Sequence, residues 1–300
     1  MTGSPLTRFA PAPTGLLHLG HVVNAIFVWG LARQLGGRVL LRIEDHDRQR
    51  SRPAFEAQLL DDLDWLGFVP DIYPTSDFRR GPCPSRQSDR NAIYAAVARR
   101  LAAEGRLYGC TCTRQEIARR AGRQTSAYPG WCRDRGIALG PGVTWRVRMD
   151  PGEVAFTDLL RGPVRQQPAL THGDVAIRDR HGNWTYMFAV VVDDLLQDVD
   201  LVVRGVDLFD ATGPQIALAA LIGRSQPARF AHHPLVMKGP EQKLSKADGD
   251  TGIPELRRRG MSPAAVIGHA ARLVDLIADE EEISAEEVAR LVRLDQLASR

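Results

Sequence analysis

The order of the first elements constrains this chain more than any other feature. Residues Thr7 to Ala10 read as a short strand, followed by the turn APAPTGLLHLG and a helix from about Gly20 to Leu35. Val22, Val23, Ile26, Phe27 and Leu31 fall at helical spacing within it. Gly36-Gly37 stops that helix, RVLLRI (Arg38 to Ile43) is a strand of the buried type, and Pro53 opens an amphipathic helix to about Trp65. Strands joined by a helical crossover pair in parallel, so this opening predicts an α/β fold with a doubly wound, Rossmann-like parallel sheet. Ligands of such sheets gather at the carboxyl ends of the strands.

The middle of the chain breaks the pattern. Asp89 to Ala103 reads as another helix, but from Leu107 to about Gln167 come three cysteines, short strands such as TWRVRM (Thr144 to Met149) and many turn residues. That stretch is expected to be an insertion. The parallel pattern resumes at DLVVRG (Asp200 to Gly205), a helix over Gly213 to Gly223 and a strand from Ala231 to Met237. After Thr251 the chain reads as helical to its end, with the acidic run Asp279 to Glu282 near a helix start, where carboxylates suit the dipole. The expected divisions are residues 1–106 for the first half of a nucleotide-binding core, 107–170 for the insertion, 171–250 for the second half, and 251–300 for a helical region.

Lysine usage points to a site. Of 39 basic side chains only Lys238, Lys243 and Lys246 are lysines, and all three fall in KGPEQKLSK. Arginine is a planar fork and lysine a compact point charge, so lysine survives where a tight phosphate contact needs a small ammonium. Net charge is only +3, which announces no strongly basic nucleic-acid binder, and pairs such as Arg79-Arg80 and Arg119-Arg120 fit solvated faces. No apolar run at the start resembles a signal peptide and no stretch approaches a membrane span, so a cytoplasmic location without membrane contact is expected.

The turn between first strand and first helix carries His18-Leu19-Gly20-His21. Gly20 allows close backbone approach, the helix start behind it offers N–H groups to a phosphate, and imidazoles there can donate to phosphate oxygens as charge builds. There is no G-x-x-x-x-G-K-[ST] and no G-x-G-x-x-G, so this is neither a P-loop nor a dinucleotide fingerprint.

H-L-G-H with a distant K-L-S-K resembles the two signature motifs of class I aminoacyl-tRNA synthetases. RFAPAPTGLLHLG, LLRIEDHD, VVRGVDLFDATGPQ and KLSKA, in that order, resemble the glutamyl/glutaminyl branch over essentially the whole chain. Only 53 residues follow Ala247, too few for an added anticodon-binding domain. A catalytic core alone is similar to the glutamyl-Q tRNA(Asp) synthetases, truncated paralogues that attach glutamate to queuosine in the anticodon of tRNA(Asp).

The resemblance implies ATP, with Mg²⁺ on its phosphates, L-glutamate and queuosine-bearing tRNA(Asp) as partners of a monomeric ligase. It implies His18, His21, Lys243 and Lys246 as catalytic groups, and His18, Gly20, His21 and Lys246 as ATP contacts. Glutamate would meet Arg8, Phe9, Ala10, Pro11, Ala12, Glu44, Tyr186 and Arg204. Arg8, Glu44 and Arg204 each leave a strand at the sheet's carboxyl edge; the arginines can fork onto carboxylates and Glu44 can take an ammonium. Ala12 departs from the serine usual at its place, and His21 is a residue that many glutamyl enzymes lack. Runner-up readings are a minimal glutamyl-tRNA synthetase charging tRNA(Glu) and an inactive RNA-binding paralogue.

Cys110, Cys112 and Cys132 have near-zinc spacing but are one ligand short, which leaves a metal site and free buried thiols both open on spacing alone. The resemblance implies Tyr128 as the fourth ligand of a single structural Zn²⁺, with Arg133 or Arg135 to offset its negative charge. Cys83 stands apart as a free thiol.

Overall fold

The computed structural model describes residues 3–121, 127–239, 242–243 and 251–294; of 238–239 and 242–243 it describes the backbone only. Its first half runs β1 (Leu6–Phe9), α1 (Leu19–Gln34), β2 (Arg38–Leu41), α2 (Pro53–Leu66), α3 (Thr75–Arg79) and α4 (Asn91–Ala103). The insertion follows as β3 (Leu107–Cys110), α5 (Arg114–Ala121), β4 (Thr144–Val147), β5 (Val154–Asp158), β6 (Gly162–Gln166), α6 (Pro168–Thr171) and β7 (Val175–Arg178). Then come α7 (Tyr186–Leu196), β8 (Leu201–Gly205), α8 (Thr212–Leu221), β9 (Arg229–His233), β10 (Met237–Gly239) and β11 (Gln242–Lys243), followed by α9 (Ile253–Arg258), α10 (Pro263–Arg272) and a 3₁₀ turn at Glu287–Arg290.

The opening β-α-β unit is as the periodicity predicts. β1 pairs with β2 in parallel, and β8 pairs with β9 in parallel. The two pairs meet where the Leu6 amide donates to Asp200 Oδ1 (2.7 Å) and the Asp200 amide donates to the Leu6 carbonyl (3.0 Å). The sheet edge therefore carries residues from both halves of the sequence. Helix α1 is buried on nearly every side from Val22 to Ala32, because it lies between the sheet and α10. A helix covered all round needs apolar residues all round, which is what its sequence supplies.

Two features differ from expectation. Strands β5 and β6 fall within the stretch that reads as an insertion, yet β5 pairs with β9 in parallel, giving the sheet order β6-β5-β9-β8. Conversely β7, beyond residue 170, completes the antiparallel sheet β3-β4-β7 beside the cysteines. Pairing over such distances leaves no trace in local periodicity. The acidic run also sits in the connection after α10 rather than at a helix start. Glu280 pairs with Arg272, Glu281 with Arg290, and Glu282 accepts from Ser262 Oγ, the N-cap of α10. No helix of the described residues is long and apolar enough to cross a membrane.

Candidate active site

A cavity of about 390 Å³ opens at the carboxyl edge of the sheet. Arg8, Ala10, His18, Gly20, His21, Glu44, Tyr186 and Arg204 line it, together with Asn24, Asp207 and the segment His233 to Val236. Phe9, Pro11 and Ala12 are not among the lining residues. Phe9 packs into the core, its ring centroid 5.4 Å from that of Trp29. The Pro11 carbonyl accepts from the Glu44 amide (3.1 Å), so the first turn fixes where Glu44 leaves its strand. Lys246 lies outside the described residues, and of Lys243 only the backbone is described, opposite Met237.

The two histidines cap their own helix. His18 is the N-cap of α1 and its Nδ1 accepts from the Gly20 amide (3.1 Å), while His21 Nδ1 accepts from the His18 amide (3.1 Å). This is the reciprocal logic of a capping box with imidazoles in place of hydroxyl and carboxylate. Because both Nδ1 atoms accept, a neutral ring carries its proton on Nε2, a donor at the cavity wall. A Cβ on Gly20 would come within 2.9 Å of the His18 ring, so the glycine is required by the histidine's own packing. The His18 backbone also bridges to Gly252, and the Ile253 amide donates to the Leu17 carbonyl (2.9 Å). The chain returning from the lysine segment is thereby held at the histidine turn.

The strand ends beneath carry buried charge. Arg8 donates through Nε to Asp194 Oδ1 (3.1 Å), and Arg42 donates through Nη2 to the same oxygen (2.7 Å). Burial pushes the Asp194 carboxyl up, but the two guanidiniums outweigh it and hold the group below the usual carboxylate range. Glu44 is different. Burial raises its pKa, Arg42 and His46 offset this only in part, and Oε1 has no hydrogen-bond partner. Its nearest cation, Arg42 Nη1, is 3.7 Å away and is itself without a hydrogen bond.

Arg204 has no carboxylate within ion-pair distance among the described residues. Nε donates to His232 Nε2 (3.0 Å), Nη1 to Gln215 Oε1 (2.6 Å) and weakly to the Tyr186 hydroxyl (3.5 Å), and Nη2 to Thr212 Oγ1 (2.8 Å). Every one of these acceptors is neutral. Burial lowers its pKa, yet guanidinium stays charged in proteins. Arg8 and Arg42 share Asp194, and Arg42 also lies 3.9 Å from Asp193 and 3.7 Å from Glu44, so of the three guanidiniums Arg204 alone faces no carboxylate among the described residues. A substrate carboxylate would supply one.

Sequence reasoning missed the supports. Asp194 and Arg42, which fix Arg8, and Thr212, Gln215 and His232, which fix Arg204, are visible in sequence only as the pairs and strand ends VVVDD, LLRIE, ATGPQ and FAHH. It also missed His233, which burial holds neutral at a pKa of about 4. His233 Nδ1 donates to the Pro234 carbonyl (2.8 Å), so Nε2 accepts from Asn24 Nδ2 (3.0 Å) on the cavity wall.

The cysteines form a second, closed site. The sulfurs of Cys110, Cys112 and Cys132 lie within 4.8 Å of one another, with 3.6 Å between Cys112 and Cys132. Tetrahedral zinc thiolates, with bonds of about 2.3 Å, place sulfurs roughly 3.8 Å apart. The Tyr128 oxygen is 3.2 Å from Cys110 Sγ and 3.9 Å from Cys112 Sγ, so four donors converge and the set fits a metal. Burial pushes the Cys132 thiol up, but hydrogen bonds from Tyr128, the Thr111 backbone and its sister thiols bring it down to about 6. Burial raises Cys112 to about 11.

The expected charge offset from Arg133 is instead spent on Asp174, which it grips with Nε and Nη2 at 2.6 Å each. Arg135, the other arginine expected here, donates through Nη1 to Cys132 Sγ (3.9 Å). Arg146 adds a second cation, its guanidinium 4.0 Å over the centre of the Tyr128 ring. Gly173, at φ +66°, lets a second strand pass the Tyr128 backbone, where any Cβ would overlap the Tyr128 carbonyl.

Residues 6–300 match the family model for tRNA synthetases class I (E and Q), catalytic domain. The chain is 39% identical to a glutamate–tRNA ligase 2 of Syntrophus aciditrophicus over 97% of its length, spanning 62% of that protein. It is 41% identical to a glutamyl-Q tRNA(Asp) synthetase of Symbiobacterium thermophilum, covering 94% of this chain and 90% of that one. Among solved structures, the glutamate tRNA ligase of Elizabethkingia meningosepticum in complex with its amino acid superposes with a TM-score of 0.77 at 28% identity. That match covers 98% of this chain and 65% of the other.

Proposed function

The chain belongs to the class I tRNA synthetases of the E and Q type, and we propose that it activates L-glutamate with ATP, without needing tRNA, and transfers it to the queuosine ring in the anticodon of tRNA(Asp). The observation that carries the amino-acid assignment is the pairing of two groups at one cavity. A guanidinium, Arg204, that meets only neutral acceptors, and a buried carboxylate, Glu44, with one oxygen that accepts no hydrogen bond, suit a substrate carboxylate and ammonium. The acceptor assignment is supported by the Symbiobacterium relative and by a second glutamyl-Q tRNA(Asp) synthetase, of Rhodobacter capsulatus, 40% identical over 98% of its length.

In this reading the glutamate α-carboxylate attacks the α-phosphorus of ATP and pyrophosphate leaves, so no enzyme nucleophile is involved. Catalysis is positioning plus stabilisation of charge. Arg8, held by Asp194, and Arg204 take the two carboxylates, Tyr186 adds a hydroxyl, and Glu44 takes the ammonium. The Nε2–H groups of His18 and His21 donate to phosphate oxygens, and Lys243 and Lys246 hold the departing pyrophosphate. Mg²⁺ would accompany the nucleotide and offset the charge of its phosphates. Cys110, Cys112, Tyr128 and Cys132 would hold one structural Zn²⁺, which would staple a loop-rich segment. The protein works as a cytoplasmic monomer.

The test is glutamate transfer to tRNA with and without queuosine, beside glutamate-dependent ATP–pyrophosphate exchange in the absence of RNA. Transfer only to queuosine-bearing tRNA(Asp), with exchange that needs no tRNA, is expected. Charging of tRNA(Glu) would favour a minimal glutamyl-tRNA synthetase, the reading that the Syntrophus relative supports. Absence of exchange would make the chain an inactive RNA-binding paralogue.

A further inference from the structure

Arg204 is held from behind by a buried pair that no step of the reaction uses. His232 on β9 and Asp158 on β5 are both fully shielded from solvent at the side chain, and His232 Nδ1 lies 2.6 Å from Asp158 Oδ2. The other carboxylate oxygen accepts from the Leu160 amide (2.9 Å), which locks its orientation. Phe209 meets the imidazole edge-on with ring centroids 5.1 Å apart, so the ring has little room to turn. On the far side, Nε2 faces Arg204 Nε at 3.0 Å.

The proton count along this line has one solution. Arg204 Nε can only donate, so His232 Nε2 must accept, and the imidazole proton must sit on Nδ1. An Nδ1–H is what a carboxylate at 2.6 Å selects. Burial and the guanidinium both oppose a charged ring and outweigh the pull of Asp158, so His232 is neutral. A neutral acceptor matters here, because it orients the fork without cancelling its charge. A carboxylate placed directly on Nε would do for Arg204 what Asp194 does for Arg8.

We propose that Asp158 and His232 are positioning residues that fix the tautomer and direction needed to present Arg204, uncompensated, to a substrate carboxylate. Asp158 sets the His232 proton, and His232 accepts the Arg204 Nε–H. Arg204, a lining residue of the cavity, keeps for the substrate the Nη capacity that Gln215 and Thr212 do not take and that the long Tyr186 contact uses weakly. This rests on the reading that Arg204 contacts glutamate.

The experiment is steady-state pyrophosphate exchange on four variants, with glutamate and ATP titrated separately. Asp158→Asn is isosteric but offers an amide that donates to Nδ1, which drives the proton to Nε2 and sets N–H against N–H at Arg204. It should raise the glutamate KM at least tenfold, with the ATP KM unchanged and kcat at saturating glutamate within about threefold. His232→Leu should do the same, and His232→Gln, whose amide oxygen can accept from Arg204, should recover most of the loss. A normal glutamate KM in Asp158→Asn overturns the proposal, as does an equal rise in both KM values or a failure of His232→Gln to improve on His232→Leu. Arg204→Ala separates the two claims: if it leaves the glutamate KM unchanged, the reading of Arg204 fails. If it destroys glutamate binding while Asp158→Asn does not, only the positioning role fails.

Discussion

The edge of the parallel sheet and the cysteine pocket of the insertion are two buried clusters of polar side chains, and they suit ligands of opposite sign. At the sheet edge Arg204 is a cation surrounded by neutral acceptors, at the wall of a cavity of about 390 Å³. In the insertion, three thiols and a phenol converge, with Arg135 against the Cys132 sulfur and Arg146 over the phenol ring. Buried charge is costly unless it is matched, so a ligand carboxylate would satisfy the first cluster and a metal ion the second. The difference lies in access. An open cavity suits a partner that comes and goes with each turnover, and a closed one suits a partner that stays with the fold.

That contrast predicts that damage at the sheet edge should appear in catalysis and damage at the cysteines in stability. The largest effect is expected for Arg204→Ala, where loss of a buried charge contact costs roughly 2–5 kcal/mol of glutamate-dependent kcat/KM with little change in melting temperature. Exchange kinetics beside a thermal melt would check it, and a melt shifted as far as the activity would break the comparison. Next, Cys112→Ser should lower metal content and stability together, by about 2 kcal/mol or more, or several degrees in Tm. The activity that survives should keep a near-normal glutamate KM. Metal analysis of protein purified without chelator reads the first half directly.

A smaller effect separates Glu44 from an ordinary carboxylate. Burial raises its pKa, so the charged form needed to pair an ammonium is lost at a higher pH than for an exposed glutamate. The glutamate KM should therefore rise as pH falls, approaching about tenfold per unit once below that pKa, while Glu44→Gln should be weak at every pH. A flat profile in the unmodified protein would show that Glu44 does not meet the ammonium. Smallest is Arg146→Met, which removes a cation–π contact worth about 0.5–2 kcal/mol. It should weaken metal binding by roughly tenfold, read by competition with a chromophoric chelator, and leave exchange untouched.

The sequence is most legible where structure is local. The opening strand, turn and helix follow from spacing alone, and Arg8, Glu44 and Arg204 line one cavity because strand ends of a parallel sheet converge, while Tyr186, expected only from the family resemblance, joins them from the start of α7. What was illegible is pairing at a distance. Asp194 reaches Arg8 across 186 positions, and Asp158 reaches His232 across 74. Arg146 over Tyr128 follows from the register of β4 on β7, and no period in the sequence encodes that register. Of the two arginines expected to offset the cysteines, Arg135 reaches Cys132 Sγ, while Arg133 is claimed by Asp174, 41 residues away.

The parallel pairing of β5 with β9 limits how this architecture can be taken apart. A stretch bounded by residues 107 and 170 looks like a cassette that could be exchanged between relatives to alter RNA preference. Such a transplant would remove β5, and with it a strand of the sheet that bears the amino-acid pocket. The separable unit is smaller, the stretch from β3 to the end of β4, whose pairing with β7 and contacts with Gly173 and Asp174 a donor segment must reproduce. A chimera cut there should inherit its donor's metal site and keep its own amino acid.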